Sequence, residues 1–147
     1  MTHGMDRLSR IGFLVMVLGI LGLLATRSLF ASGAISAVPQ VMAVLLMIWA
    51  RVTFGRRSFH TSATPTEGGL VTTGPYRFIR HPIYAAVLLF ALTGVASHLS
   101  VASLLLAVVI GIGAGMRIAA EERLVLERYP EYSDYAARTK RLVPFVF

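Results

Sequence analysis

Apolar residues are gathered along this chain into four long stretches separated by polar segments. The stretches cover residues of about 11–30, 38–54, 82–99 and 101–118. A bilayer core of about 30 Å needs roughly 17 to 25 residues of helix, so each stretch is long enough to cross it. The pattern predicts an all-α, polytopic integral membrane protein with four transmembrane helices and one domain over residues 1–147.

Positive charges lie on one side of these predicted helices. They precede the first stretch, occupy the loop 55–81 and fill the tail 119–147, whereas the other side carries only Arg27 and His98. Because Lys and Arg are retained on the cytosolic side, both termini, the loop and the tail are predicted to be cytosolic. The tail is predicted to form two short helices, since Pro130 interrupts its helical pattern.

The composition agrees with a lipid environment and argues against other partners. Hydrophobic residues make up 56% of the chain and charged residues only 14%, which a soluble domain of this size could not bury. The net charge of +7 lies beside the apolar stretches, so we expect contact with lipid headgroups and no nucleic-acid partner. Without cysteine, and with four histidines scattered over both faces, the chain is predicted to hold no metal.

A glycine repeat in the fourth stretch, Gly111-x-Gly113-x-Gly115, superficially matches a dinucleotide-binding loop. No predicted strand precedes it, and Met116 stands where the pattern of such loops has its third glycine. This interpretation is therefore rejected. Gly111 and Gly115 are instead predicted to allow close packing between helices.

The segment before the third stretch carries the densest set of candidate functional residues. Pro82 suits the first position of a helix, because its missing N–H would be unpaired there in any case. Arg80 and His81 then lie at the amino end of a membrane helix, a position that favours an anion such as a carboxylate, and Tyr84 lies in the first turn. In the alternative interpretation Arg80 reaches lipid phosphate, His81 caps the helix and Tyr84 belongs to an interfacial aromatic belt.

The tail contributes a second set, beginning with the adjacent carboxylates Glu121 and Glu122. Neighbouring helical positions are about 100° apart, so one carboxylate is expected to face the site and the other to face water. Pairing of Glu121 with Arg117 at i, i+4 is the purely structural alternative.

Three separated motifs together resemble the isoprenylcysteine carboxyl methyltransferase and phospholipid methyltransferase superfamily. They are Gly74-Pro75-Tyr76-Arg77-x-x-Arg80-His81-Pro82-x-Tyr84, then Glu121-Glu122-Arg123-Leu124, then Tyr132-x-x-Tyr135-x-x-Arg138 with Pro144-Phe145. The resemblance implies an S-adenosylmethionine-dependent methyltransferase, with S-adenosylhomocysteine as product and a lipidic or hydrophobic acceptor entering from the bilayer. It also implies cofactor contacts by Tyr76, His81, Pro82, Tyr84 and Glu122, and a reaction centre formed by Arg80, Glu121 and Arg138.

The chain departs from the family pattern at Ala86, where a glycine often stands, and this is expected to narrow the cofactor space slightly. The sequence does not identify the acceptor. Arg80 and Arg138, which the resemblance implies would hold it, favour an anionic group, because a guanidinium matches a carboxylate well. Two other functions fit the residues. One is an NADPH-dependent membrane reductase of the sterol reductase type, which has a similar Arg-His-Pro-x-Tyr segment, and the other is a non-enzymatic lipid-binding scaffold.

Overall fold

The computed structural model describes residues 2–55 and 69–146. The helices are α1 (Thr2–Ala25), α2 (Ala34–Phe54), α3 (Pro82–Ser97), α4 (Val101–Arg128) and α5 (Tyr132–Arg138), with a 3₁₀ turn at Gly74–Arg77. The prediction of an all-α membrane protein is confirmed, because the described residues form helices and no strand beyond one isolated bridge. The central part of the predicted loop 55–81, residues 56–68, lies outside the described residues.

Three of the four predicted spans have the length and apolar composition needed to cross a membrane, and they are α1, α2 and α4. The third predicted span, α3, is a shorter apolar helix of 16 residues. At a rise of about 1.5 Å per residue it extends ~24 Å, less than the ~30 Å of a hydrocarbon core. All four predicted apolar helices are present, and the third is shorter than its predicted range of 82–99.

The first helix ends earlier than its hydrophobic stretch predicts. Ser28 donates its N–H to the carbonyl of Leu23 and Arg27 donates to Leu24, the bonding pattern of a Schellman motif. Arg27 takes the left-handed conformation that this motif requires, with φ of 56°. The chain then turns back, so Leu29 packs into the core instead of extending the helix to residue 30.

Helix α1 packs along α4, and α2 packs along α3. A Cβ on Gly12 would lie 2.8 Å from the carbonyl oxygen of Gly113, so the α1 and α4 backbones approach closely at this point. A Cβ on Gly111 or Gly115, the glycines predicted to pack, would meet nothing within 4 Å in the described part of the chain. The prediction was wrong by half a helical turn, because the α1-facing side of α4 carries Gly113.

The last of the long helices continues ten residues beyond its predicted end at residue 118. Ala120 and Leu124 are buried on this extension, where they pack against Met5 and Leu8 of α1. Pro130 ends the helical run as expected, but the tail beyond it holds one short helix, α5, and the first of the two predicted tail helices is part of α4.

A backbone pairing fixes the tail beside the start of α3. Arg80 donates its N–H to the carbonyl of Lys140 at 2.7 Å, and His81 donates to Arg141 at 3.0 Å. Ile79 and Lys140 thereby form a parallel bridge. The meeting of the amino end of α3 with the last third of the chain, which the sequence motifs require, is present in the fold.

Candidate active site

A cluster of charged and phenolic side chains forms where α3 begins and α4 leaves the apolar part of the bundle. Pro82 is fully buried at the first position of α3, which fixes the direction of the helix and places Arg80 and His81 just before it. Tyr84 follows in the first turn. From α4, Glu121 contacts Tyr84 and Glu122 contacts His81.

Glu121 belongs to a closed hydrogen-bonded triad. Tyr84 donates its hydroxyl proton to Oε1 of Glu121, and Arg117 donates from Nε to the same hydroxyl and from Nη2 to Oε1 of Glu121 at 3.1 Å. Arg117 is buried, with 5% of its surface exposed. A buried guanidinium is stabilised only where its donors and its charge are matched, and here a phenol and a carboxylate supply both.

Glu122 accepts hydrogen bonds from three cationic or potentially cationic groups. Arg80 donates from Nε at 3.0 Å, Arg141 donates from Nη2 at 3.0 Å, and the His81 ring lies 3.2 Å away through Nε2. These contacts fasten the amino end of α3 and the C-terminal tail to one carboxylate of α4.

The two carboxylates therefore face the same cluster, and the expectation that one of them faces water was wrong. The His81 ring lies between them, with Nδ1 3.7 Å from Oε2 of Glu121 and Nε2 3.2 Å from Oε1 of Glu122. Adjacent helical positions point about 100° apart, but the glutamate side chains are long and their partners come from different elements. Both carboxylates can therefore contact the same cluster. Glu121 is the more accessible of the two, with 23% of its side chain exposed against 16% for Glu122.

Arg80 forms hydrogen bonds mainly with the C-terminal tail. Besides its bond to Glu122, it donates from Nη1 to the carbonyl oxygens of Ala136 and Thr139 at the end of α5. A cation at the C-terminal carbonyls of a helix satisfies acceptors that have no partner within the helix. The side chain is 10% exposed, so its contacts are mainly within the protein.

Arg138, predicted for the reaction centre, is not brought into this cluster. It lies on the exposed side of α5, where its Nε donates to the carbonyl of Asp134 at 3.1 Å. The tail residue that reaches Glu122 is Arg141, which the backbone pairing with residues 80 and 81 carries there.

Tyr76, which was predicted for the site, is joined to the tail by Tyr135. Tyr135 donates its hydroxyl to the carbonyl of Tyr76 at 2.6 Å, and both rings are buried. Burial raises the pKa of Tyr135 to about 12, so its phenol remains a donor throughout the physiological pH range. Burial also raises the pKa of Tyr76 and of Tyr132 above the ordinary value for tyrosine.

Two residues of the cluster were not predicted as site residues from the sequence. Arg117 had a signal, since a cation that shares a helical face with Gly113 and Ala120 is directed toward the bundle and not toward water. Arg141 had none, because its place depends on pairing between segments about sixty residues apart.

The fold and the cluster define a helical membrane protein with a polar site at one end of its bundle. A sequence profile of the isoprenylcysteine carboxyl methyltransferase (ICMT) family matches residues 34–127. The chain therefore belongs to the isoprenylcysteine carboxyl methyltransferase family. The matched range includes α2, α3 and most of α4, and it leaves out α1 and the tail with Arg141.

Two curated bacterial proteins are similar to part of the chain. The nickel-cobalt-cadmium resistance protein NccN of Alcaligenes xylosoxydans xylosoxydans is 35% identical over 77 residues, which cover 51% of this chain and 36% of that protein. The cobalt-zinc-cadmium resistance protein CzcN of Cupriavidus metallidurans is 34% identical over 76 residues, or 51% and 35% of the two chains. The chain thus matches about a third of the length of these curated relatives. No solved structure matches it significantly.

Proposed function

We propose that this protein transfers a methyl group from S-adenosylmethionine to a hydrophobic acceptor at the membrane interface. The observation that carries the proposal is the cluster of His81 and Tyr84 with Glu121 and Glu122, inside the segment that matches the methyltransferase family. In this proposal the site lies on the cytosolic side, because positive charges are concentrated there.

The residues of the cluster suit a donor that carries ammonium, hydroxyl and carboxylate groups. Glu121 is the carboxylate that we assign to the donor, since it is the more exposed of the pair and is held by Tyr84 and Arg117. We assign His81, whose Nδ1 lies 3.7 Å from Oε2 of Glu121, to the same ligand, together with Pro82 and Tyr76. S-adenosylmethionine, when bound, supplies a methyl group on a positively charged sulfur, from which an in-line displacement can proceed.

Glu122 and Arg80 are assigned to holding the site together. Both side chains form hydrogen bonds that connect the start of α3, α4 and the tail. The resemblance implied that Arg80 and Arg138 hold the acceptor, but the contacts favour Arg117 as the cation nearest to the donor-facing carboxylate.

The proposal of a hydrophobic acceptor is supported by an apolar cavity of about 250 Å³ within the bundle. Its lining includes Ile20 of α1, Ala43 and Met47 of α2, and Ala86 and Phe90 of α3. Val87, which also lines the cavity, lies three residues beyond Tyr84 on the same face of α3, so the cavity begins within one turn of the polar cluster. A hydrocarbon chain lying there would bring an attached polar group toward Tyr84.

The chain's own contribution to such a reaction is orientation. Displacement at a sulfonium needs little proton transfer, so the rate depends mainly on holding donor and acceptor in line. The Arg117–Tyr84–Glu121 triad and the clasp of Glu122 with Arg80 and Arg141 fix the walls of the site before any ligand arrives. A tail fastened over the site also limits the access of water.

The experiment is a methyl-transfer assay with the purified protein in its own membrane lipids and S-adenosylmethionine labelled in the methyl group. We expect label to enter an organic-soluble product, and His81→Ala or Glu121→Gln to reduce the rate by about 100-fold, the order of loss that small misplacement produces. Ile35→Val, at the exposed start of α2 and the far end of the bundle, serves as the control and keeps the rate. Binding heat with NADPH and none with S-adenosylhomocysteine would contradict the proposal and favour a reductase.

A further inference from the structure

The buried guanidinium of Arg117 contacts two aromatic rings from different helices. Its central carbon lies 5.3 Å from the ring centroid of Phe13 in α1 and 5.8 Å from that of Tyr84 in α3. Both distances lie within the ~6 Å over which a ring face attracts a cation. Tyr84 also forms hydrogen bonds with Arg117 and Glu121, whereas Phe13 has no hydroxyl and contacts the guanidinium through its ring.

The backbone of α1 lies close to α4 beside this contact. A Cβ on Gly12 would lie 2.9 Å from Cβ of Met116 and 3.2 Å from Cγ of Arg117. The absence of a side chain at Gly12 therefore lets the neighbouring Phe13 reach the guanidinium. Phe13 itself is half-buried and packs against the core cluster that contains Tyr84.

We propose that Phe13 is a positioning residue of the site, acting through Arg117. The inference rests on the methyltransferase function proposed above and adds to it a residue of α1, a helix outside the segment that matches the family. The ring face of Phe13 holds Arg117 against Tyr84 and Glu121, so that Oε1 of Glu121 is fixed and Oε2 is directed toward His81.

An aliphatic side chain at this position would remove that constraint. Arg117 would then lie against hydrocarbon, and a long cationic side chain beside hydrocarbon moves its charged end toward water and headgroups. Glu121 would lose the orientation that its hydrogen bonds from Arg117 impose. Phe13 touches neither donor nor acceptor in this scheme, so its effect reaches the ligand only through the triad.

The test compares Phe13→Leu, which removes the ring, with Phe13→Tyr, which keeps it, and with Phe30→Leu as the same change far from the cluster. For each purified variant we would measure the dissociation constant of S-adenosylhomocysteine, the KM for S-adenosylmethionine, kcat and the unfolding temperature. We expect Phe13→Leu to weaken donor binding and raise KM by about tenfold, the scale of a desolvated cation–π contact, with Phe13→Tyr close to the unaltered protein. Phe30→Leu should change neither constant.

Two results would overturn the inference while leaving the methyltransferase proposal in place. One is donor binding by Phe13→Leu equal to that of the unaltered protein. The other is an equal loss in Phe13→Leu and Phe13→Tyr that follows the unfolding temperature, which would mean that Phe13 only fills space. If the unaltered protein itself bound no S-adenosylhomocysteine, the proposed function would fail, and the role of Phe13 would fail with it.

Discussion

Two largely buried arginines at the edge of the apolar bundle are each paired with a glutamate of α4. Arg117 is buried, but Tyr84 and Glu121 occupy its donors, and Phe13 lies against its face. Arg80 is nearly as enclosed and divides its donors between Glu122 and the end of α5. In each case the arginine is already bound to protein groups, and this holds for Arg80 although the sequence suggests that side chain for a ligand.

A mutational cycle tests the coupling within the triad. Arg117→Met should lower the free energy of unfolding by about 3 kcal/mol, because it leaves a partly buried carboxylate without its cation. The double variant Arg117→Met/Glu121→Gln should lose less than the sum of the single changes, since the unpaired charge is absent. Equilibrium unfolding in detergent micelles gives these values, and strictly additive losses would show that the two side chains are independent.

The helices are held in register where a glycine allows two backbone segments to come into contact. Gly94 of α3 packs against the turn that follows α1, and a Cβ there would overlap the carbonyl oxygen of Leu29. Gln40 of α2 fastens the same turn, donating to the carbonyls of Leu29 and Phe90 and accepting from the N–H of Ala31. This end of the bundle is thus fixed by backbone contacts, and the opposite end carries the polar cluster.

Gly94→Ala and Gly111→Ala form a matched pair of the same substitution in two helices. The first should destabilise the protein by several kcal/mol, roughly the cost of overpacking, because backbone atoms cannot move aside as a flexible side chain can. Nothing in the described part of the chain lies within 4 Å of a Cβ at position 111, so the second should be neutral or slightly stabilising. Thermal unfolding of the two purified variants measures the difference, and equal unfolding temperatures would refute the close approach at Gly94.

At the scale of the whole molecule, the chain has an apolar bundle, and the charged residues that the structure describes lie mainly at one end of it. The amino end of α1, the start of α3, the extension of α4 and α5 all meet there. The retention of Lys and Arg on the cytosolic side predicts that this end faces the cytosol.

The absence of cysteine makes the orientation directly measurable. Leu99→Cys, in the turn between α3 and α4, should react with a membrane-impermeant maleimide added to intact cells. Ala137→Cys, on the exposed side of α5, should react only after the membrane is opened, because the tail is predicted to be cytosolic. The reverse labelling pattern would place the site on the other side of the membrane.

Local pattern predicted the four apolar helices and pointed to the segments that carry the candidate residues. Apolar stretches long enough for a membrane, Pro82 at a helix start and Pro130 at a helix end are decided by neighbouring residues, so their consequences can be read along the chain. The motif with Arg80, His81, Tyr84, Glu121 and Glu122 also indicated the family, and the profile match to residues 34–127 agrees.

Tertiary structure decided which of these groups meet. The continuation of α4 depends on Ala120 and Leu124 packing against α1, and the entry of Arg141 in place of Arg138 depends on the bridge between Ile79 and Lys140. Both glutamates reach the cluster because their partners arrive from separate segments. Such contacts join residues far apart in sequence and leave no periodic trace in it, so only the folded chain reveals them.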